Sequence, residues 1–191
     1  MNPEAISAIK KASTACLKQK EAISSYSYQR LSENKATLSN KETILDFKLN
    51  ADTTYKAIDN ITFNQSDLIN ISIRNQEGSW YALSRLSLYY GKDSTVTKLI
   101  ETSRTALKET CSLICPGLSN NEIMDVIELF EEDFKLNKEL TQIENIFNHK
   151  KLMAGDIIYV QCSFKSTMLE LNSTHAETIL ITGNGAEILT T

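Results

Sequence analysis

The chain has 191 residues, 41% of them apolar and 23% charged, with a formal net charge of −4 at pH 7. That length allows one domain, or one with an appendage, to bury its own core, which excludes a chain disordered throughout. The negative balance argues against a nucleic-acid partner, which requires a concentrated positive field, and no stretch approaches the roughly 20 apolar residues of a membrane span.

Lys10, Lys11, Lys18 and Lys20 interrupt the N-terminal segment. No signal peptide is therefore expected, and synthesis in the cytoplasm is. Asn2-Pro3 suits a helix start, and a helix is expected to about Leu31. Ile6, Ile9, Cys16 and Ile23 fall near a heptad seam that Ser13 and Lys20 break. So polar a helix needs a surface to dock on, either another chain or the body of the protein. Residues 1–35 carry six Lys or Arg against three Glu, and residues 122–144 carry eight Asp or Glu against two Lys. The asymmetry fits a head-to-tail contact between copies, or two solvated helix faces.

Ser39-Asn40-Lys41 reads as a loop. Thr43–Asn50 alternates at Leu45, Phe47 and Leu49, as a strand does. Thr53–Ile58 and Asn60–Asn64 read as two further short strands, and Asp67–Arg74 suits a strand or a short helix. Ser79–Tyr90 carries Trp80, Leu83, Leu86 and Tyr90 at spacings of three, three and four, which predicts a helix stopped by Gly91. Asp93 or Ser94 caps the next helix, with Val96, Leu99, Ile100 and Leu107, ending before Pro116-Gly117.

Ser119-Asn120-Asn121-Glu122 is a capping box. Behind it Ile123, Val126, Ile127, Phe130 and Phe134 hold one helical face, and Leu136–Asn148 is expected to continue as helix. From Asp156 the pattern turns to strands at Asp156–Ser163, Thr167–Asn172, Glu177–Thr182 and Ala186–Thr190, with Gly183-Asn184-Gly185 as a hairpin turn.

The expected fold class is α+β: an N-terminal helix, central helices with short strands, and a C-terminal antiparallel strand meander. Three segments are expected: a helical docking segment over 1–40, an α+β body over 41–160, and a β meander over 161–191.

Four cysteines occur, at positions 16, 111, 115 and 162, with the histidines His149 and His175. Their spacing matches neither a zinc site nor a redox pair, so no metal and no cofactor are expected and the thiols are read as reduced. No phosphate-binding glycine loop appears. Trp80, Tyr81, Tyr89 and Tyr90 are the one aromatic concentration. With Ile6, Ile9 and Ile23 they are the candidate interface residues.

Leu140–Val160 resembles the second half of a LysM domain, in which Leu-x-x-Gly-x-x-Ile-x-Val enters the last strand. Leu152, Gly155, Ile158 and Val160 hold those positions, and Asn148 matches the loop Asn. Gly78–Gly91 resembles a LysM first helix. LysM domains bind the N-acetylglucosamine backbone of cell-wall glycans, and LysM-like domains connect subunits in phage tails near the baseplate. The resemblance implies a virion structural protein of a tail or baseplate, not an enzyme, with the body's second half LysM-like. Its partners would be copies of itself or sibling subunits, and glycan binding is the alternative. A third reading rests on Cys162 and His175. Gly155–Tyr159 with His175–Ile181 is similar to the strands around the catalytic His of NlpC/P60 cysteine peptidases, with Cys111 or Cys115 as the other candidate nucleophiles.

Overall fold

The computed structural model describes residues 3–40, 42–50, 52, 54–57, 61–126, 137–138, 142–145, 151–166 and 168–191. Helix α1 spans Pro3–Ser24 and buries Ala5, Ile9, Ala12, Cys16 and Ile23, a stripe at helical spacing. It ends earlier than expected. Ser25 to Ser27 break the chain, and the Ser27 hydroxyl accepts from the Arg30 amide to cap α2, Tyr28–Leu38.

The surface on which α1 docks belongs to its own chain. Ile9 and Ile23 are fully buried, and the Cys16 thiol donates to the carbonyls of Ile73 and Ala82 at 3.7 and 3.4 Å. Ile6 packs with Trp80 on a small cluster around Ile9, Ile157 and Leu180. The candidate interface residues Ile6, Ile9 and Ile23 therefore serve the internal core, because the sheet beneath α1 offers the apolar surface its stripe requires.

Strand β1 is Thr43–Leu49, as the alternation predicts. Among the described residues of the expected strand Thr53–Ile58, Lys56–Ala57 (β2) pairs, and residues 61–64 form no strand. The ambiguous segment resolves as strand β3, Ile69–Glu77.

The expected helix over Ser79–Tyr90 is instead strand β4, Trp80–Leu88, paired with β3 residue for residue from Glu77↔Trp80 to Ile69↔Leu88. Gly78 sits at φ +61°, a left-handed conformation that makes the tight hairpin inexpensive for glycine and strained for other residues. Nine consecutive cross-strand partners outweigh the chance three-and-four spacing of Trp80, Leu83, Leu86 and Tyr90. The aromatic candidates follow suit. Trp80, Tyr89 and Tyr90 are partly buried against their own chain, Tyr90 donating its hydroxyl to the Tyr26 carbonyl at 2.9 Å. Tyr81 is the exposed one.

Helix α3, Ser94–Leu113, is capped by Asp93 and lies across the later strands. The capping box forms, with the Ser119 amide donating to the Glu122 carboxylate at 2.8 Å, and residues 120–126 are helical with Ile123 buried. The expected face at Ile127, Phe130, Phe134, Leu140 and Phe147, together with Asn148 and His149, lies outside the described residues. The helix expected over Leu136–Asn148 is corrected at two points. Asn137–Lys138 (β5) and Gln142–Asn145 (β6) are strands paired with β7, because the β7 edge offers hydrogen bonds to them.

Strand β7 is Ile157–Ser166 and β8 is Leu171–Ile181, a ten-pair hairpin; β9, Ala186–Ile188, folds back through the Gly183–Gly185 turn. The two strands expected over Thr167–Asn172 and Glu177–Thr182 are thus one, preceded by a turn in which Glu170 takes φ +51°. Leu152, Gly155, Ile158 and Val160 make the turn into β7. Gly155 adopts φ +92° and its amide donates to the Ile181 carbonyl at 2.8 Å, while the other three are buried.

The whole is α+β. The sheet runs β2-β1-β3-β4-β8-β7-β5, with β6 also on β7 and β9 also on β8. Helices α1 and α3 cover one face. One core cluster lies beneath α1 and α2 around Phe47, Ile71 and Ile73, and another beneath α3 around Val160, Cys162 and Phe164. Among the described residues, no helix is long and apolar enough to cross a membrane.

Candidate functional site

Side chains of paired residues stand on the same face of a sheet. The register therefore aligns Asp46, Ser72, Arg85, Ala176 and Gln161 in one row across five strands, on the face that α1 and α3 leave uncovered. Flanking rows add Lys48, Asn70, Ser87, Thr174 and Ser163 on one side, and Arg74, Leu83, Thr178 and Tyr159 on the other. A cleft of about 190 Å³ opens here, lined by Asp46, Ser72, Arg74, Tyr81, Leu83, Arg85 and Tyr159.

Arg85 is its centre. Its Nε donates to Ser72 Oγ at 3.4 Å and its Nη1 to Gln161 Oε1, which also accepts from the Tyr159 hydroxyl at 3.3 Å. The guanidinium lies 4.7 Å from the Tyr55 ring centre and 5.5 Å from that of Tyr159, so cation–π attraction fixes its plane. Lys48 Nζ stands 5.1 Å from the same ring centre. Burial pushes the Tyr55 phenol up to about 12 even with Arg85 alongside, so the ring stays neutral. Among the described residues of these rows Asp46 is the one carboxylate, against Lys48, Arg74 and Arg85. The face is cationic, in a chain whose net charge is negative.

The opposite, helix-covered face holds a buried polar cluster. Ser103 on α3 lies 2.8 Å from His175 Nδ1 and 2.7 Å from Ser173 Oγ. A hydroxyl against an imidazole is the start of a nucleophile–base pair, but the proton positions oppose that use. The Ser87 amide donates to Nε2 at 3.5 Å, so Nε2 is the bare nitrogen and Nδ1 carries the proton toward Ser103. The Ser103 hydroxyl in turn donates to the Ile100 carbonyl at 3.0 Å. Burial, with Arg104 and Lys20 adding to it, holds His175 at about 3 and hence neutral. The cluster fastens α3 to β8.

The same geometry answers the cysteine reading. Cys162 and His175 are register partners on β7 and β8, yet both imidazole nitrogens are occupied by Ser103 and Ser87. Burial pushes the thiols of Cys16 and Cys111 up to about 12 and that of Cys162 higher still, far from the thiolate a nucleophile needs. Cys162 and Cys111 are core residues. Beside them Glu177, 6% exposed, is met by Lys20, Ser84 and Thr190, and burial raises its carboxyl against the lowering effect of Lys20.

None of Arg85, Ser72, Lys48 or Gln161 was singled out by sequence reasoning. Arg85 stands outside the three-and-four spacing of Trp80, Leu83, Leu86 and Tyr90, and only pairing with β3 and β8 puts it in mid-sheet. The available signal was Glu77-Gly78-Ser79-Trp80, a glycine turn between two runs with strand-forming residues.

The nine-stranded sheet, with helices on one face and an open groove on the other, has the architecture of the pita-bread fold. The solved structures bear this out. The prolidase from Pyrococcus horikoshii OT3 superposes with a TM-score of 0.82 at 14% identity, over 100% of this chain and 62% of its own. The prolidase from Pyrococcus furiosus gives 0.80 at 16%, over 100% and 64%. The methionine aminopeptidase from Thermotoga maritima gives 0.77 at 15%, over 100% and 98%. The chain thus spans less than two thirds of these prolidases and nearly all of that aminopeptidase. No family model and no curated protein matches the sequence. At these identities the likeness establishes the fold.

That fold overturns the expectation of a virion tail or baseplate protein and, with it, the assignment as a non-enzyme, since the architecture is one that peptidases use. The expectation rested on the Leu140–Val160 pattern and on a polar N-terminal helix in need of a partner. That helix docks on its own chain, and strands β5 and β6 stand where helix was expected, while the strand expected from Asp156 forms as β7. Among the described residues, no group of three or more His, Cys, Asp or Glu stands close enough to hold a metal ion. The open face fits a cation poorly, because Arg85 occupies its middle and repels one.

Proposed function

We propose that this protein acts on peptides, binding an extended acidic segment along the open face of the sheet with a carboxylate received by Arg85. The observation that carries the reading is the posture of Arg85: oriented by Ser72 and Gln161, flanked by Tyr55 and Tyr159, and backed by Arg74 and Lys48. A guanidinium held in one plane is suited to bidentate pairing with a carboxylate, and its aromatic neighbours lower the entropy lost on binding. The solved structures that share the fold are peptidases, which supports a peptide as the ligand.

The test is fluorescence anisotropy with a labelled glutamate-rich peptide and its lysine-rich counterpart. The acidic peptide binds and the basic one does not. Arg85→Met weakens binding roughly 10- to 100-fold, the equivalent of one charge-assisted pair. Equal binding of both peptides, or an unchanged affinity in a folded Arg85→Met variant, refutes the proposal. Hydrolysis of the bound segment is a second reading, favoured by the shared fold alone. Release of amino acids from unlabelled peptides is its measurement.

A further inference from the structure

The helix-covered side of the sheet carries a larger cavity, about 480 Å³, between α1 and α3. That volume lies within the range of small-molecule sites, and sites of this kind combine an apolar lining with few polar groups. Leu86 and Leu88 of β4, Leu107 of α3 and Ile188 of β9 provide the apolar lining. The polar groups divide into those already engaged and those left over. Lys20 is taken by Glu177 and by the Thr190 carbonyl at 3.2 Å, which also leaves Glu177 locally neutralised. Both nitrogens of His175 are occupied. Arg104 and Lys108 remain at the mouth, exposed and one turn apart on α3, and among the described residues neither has an ion-pair partner.

We propose that this cavity binds a small amphipathic carboxylate, its apolar part against Leu86, Leu88, Leu107 and Ile188 and its carboxylate between Arg104 and Lys108. Charge complementarity selects the anion. Two like charges four residues apart on a helix repel each other, and a carboxylate between them relieves that repulsion while the guanidinium offers a paired-donor fork. The apolar lining selects a hydrocarbon tail over a sugar or a phosphate-rich headgroup, since polar groups placed there would lose their hydration without a partner. The site lies on the side of the sheet away from Arg85, so it stands apart from the peptide-binding reading.

Isothermal titration with decanoate, below its micelle concentration, tests the proposal on the full chain. Decanoate is expected to bind, and decanol and decyltrimethylammonium to bind at least tenfold more weakly. The double variant Arg104→Gln/Lys108→Gln loses about tenfold in affinity, a value in line with one charge-assisted contact. Ser24→Trp, at the exposed mouth, abolishes binding by occlusion. These positions are on helix surfaces, and circular dichroism melts confirm that each variant folds. No heat with decanoate, equal binding of decanol, or an unchanged affinity in the folded double variant overturns the proposal.

Discussion

Lowering the pH from 7.5 to 4.5 should destabilise this protein through one residue, His175. In the folded chain its imidazole is held at about 3, first by burial and then by Arg104 and Lys20, whereas an unfolded histidine titrates near 6.5. Between those values the unfolded chain binds a proton that the folded chain refuses. The stability contributed by the neutral imidazole is therefore complete above pH 6.5 and is lost as the pH falls toward 3. At pH 4.5, two units below the unfolded value, the loss reaches about 3 kcal/mol at 1.36 kcal/mol per unit. That is a sizeable share of the roughly 5–15 kcal/mol that domains of this kind possess. Glu177 works in the opposite direction. Burial raises its carboxyl, so its contribution is present at low pH and fades as the pH rises through its folded value. The effect of His175 must therefore be isolated by comparison with His175→Gln, which retains Glu177 and removes the titration. Urea unfolding of both proteins at the two pH values supplies four free energies. The acid-induced loss in the wild type should exceed that in the variant by about 3 kcal/mol. Equal losses refute the claim that the imidazole is sealed beneath α3.

Three further outcomes follow from packing and backbone geometry. Gly78→Val forces a β-branched residue to φ +61° in the β3–β4 turn and should cost about 1–2 kcal/mol by thermal denaturation. Phe47→Ala empties a fully buried site stacked 6.5 Å from Phe63 and should cost about 3–5 kcal/mol, read as a lower urea midpoint. Titration with an aromatic disulfide at pH 8 should label Cys115 promptly. Cys16, Cys111 and Cys162, buried with raised pKa values, should react only after unfolding.

The elements legible in the sequence share a property: their signals are local. Asp93 and Ser119 announce helix starts by satisfying amides a few residues ahead, and both caps form. The alternation of Leu45, Phe47 and Leu49 marks β1, and Gly183-Asn184-Gly185 marks the β8–β9 turn. The misread elements depend on distant partners. Trp80–Leu88 is a strand because β3 and β8 lie on either side of it. Asn137–Lys138 and Gln142–Asn145 are strands because β7 offers an edge.

The candidate site was less legible still. Asp46, Ser72, Arg85, Ala176 and Gln161 come from five strands scattered over more than a hundred positions, with no motif linking them. Composition, helix caps, glycine turns and the α+β class were determined by the sequence itself, because they depend on neighbours within a few residues. The register that gathers Arg85 with Gln161, that seals His175 against Ser103, and that turns α1's apolar stripe inward was decided by tertiary structure alone. Side-chain chemistry at these positions acquires its meaning only when hydrogen-bonded strands bring remote residues onto one face.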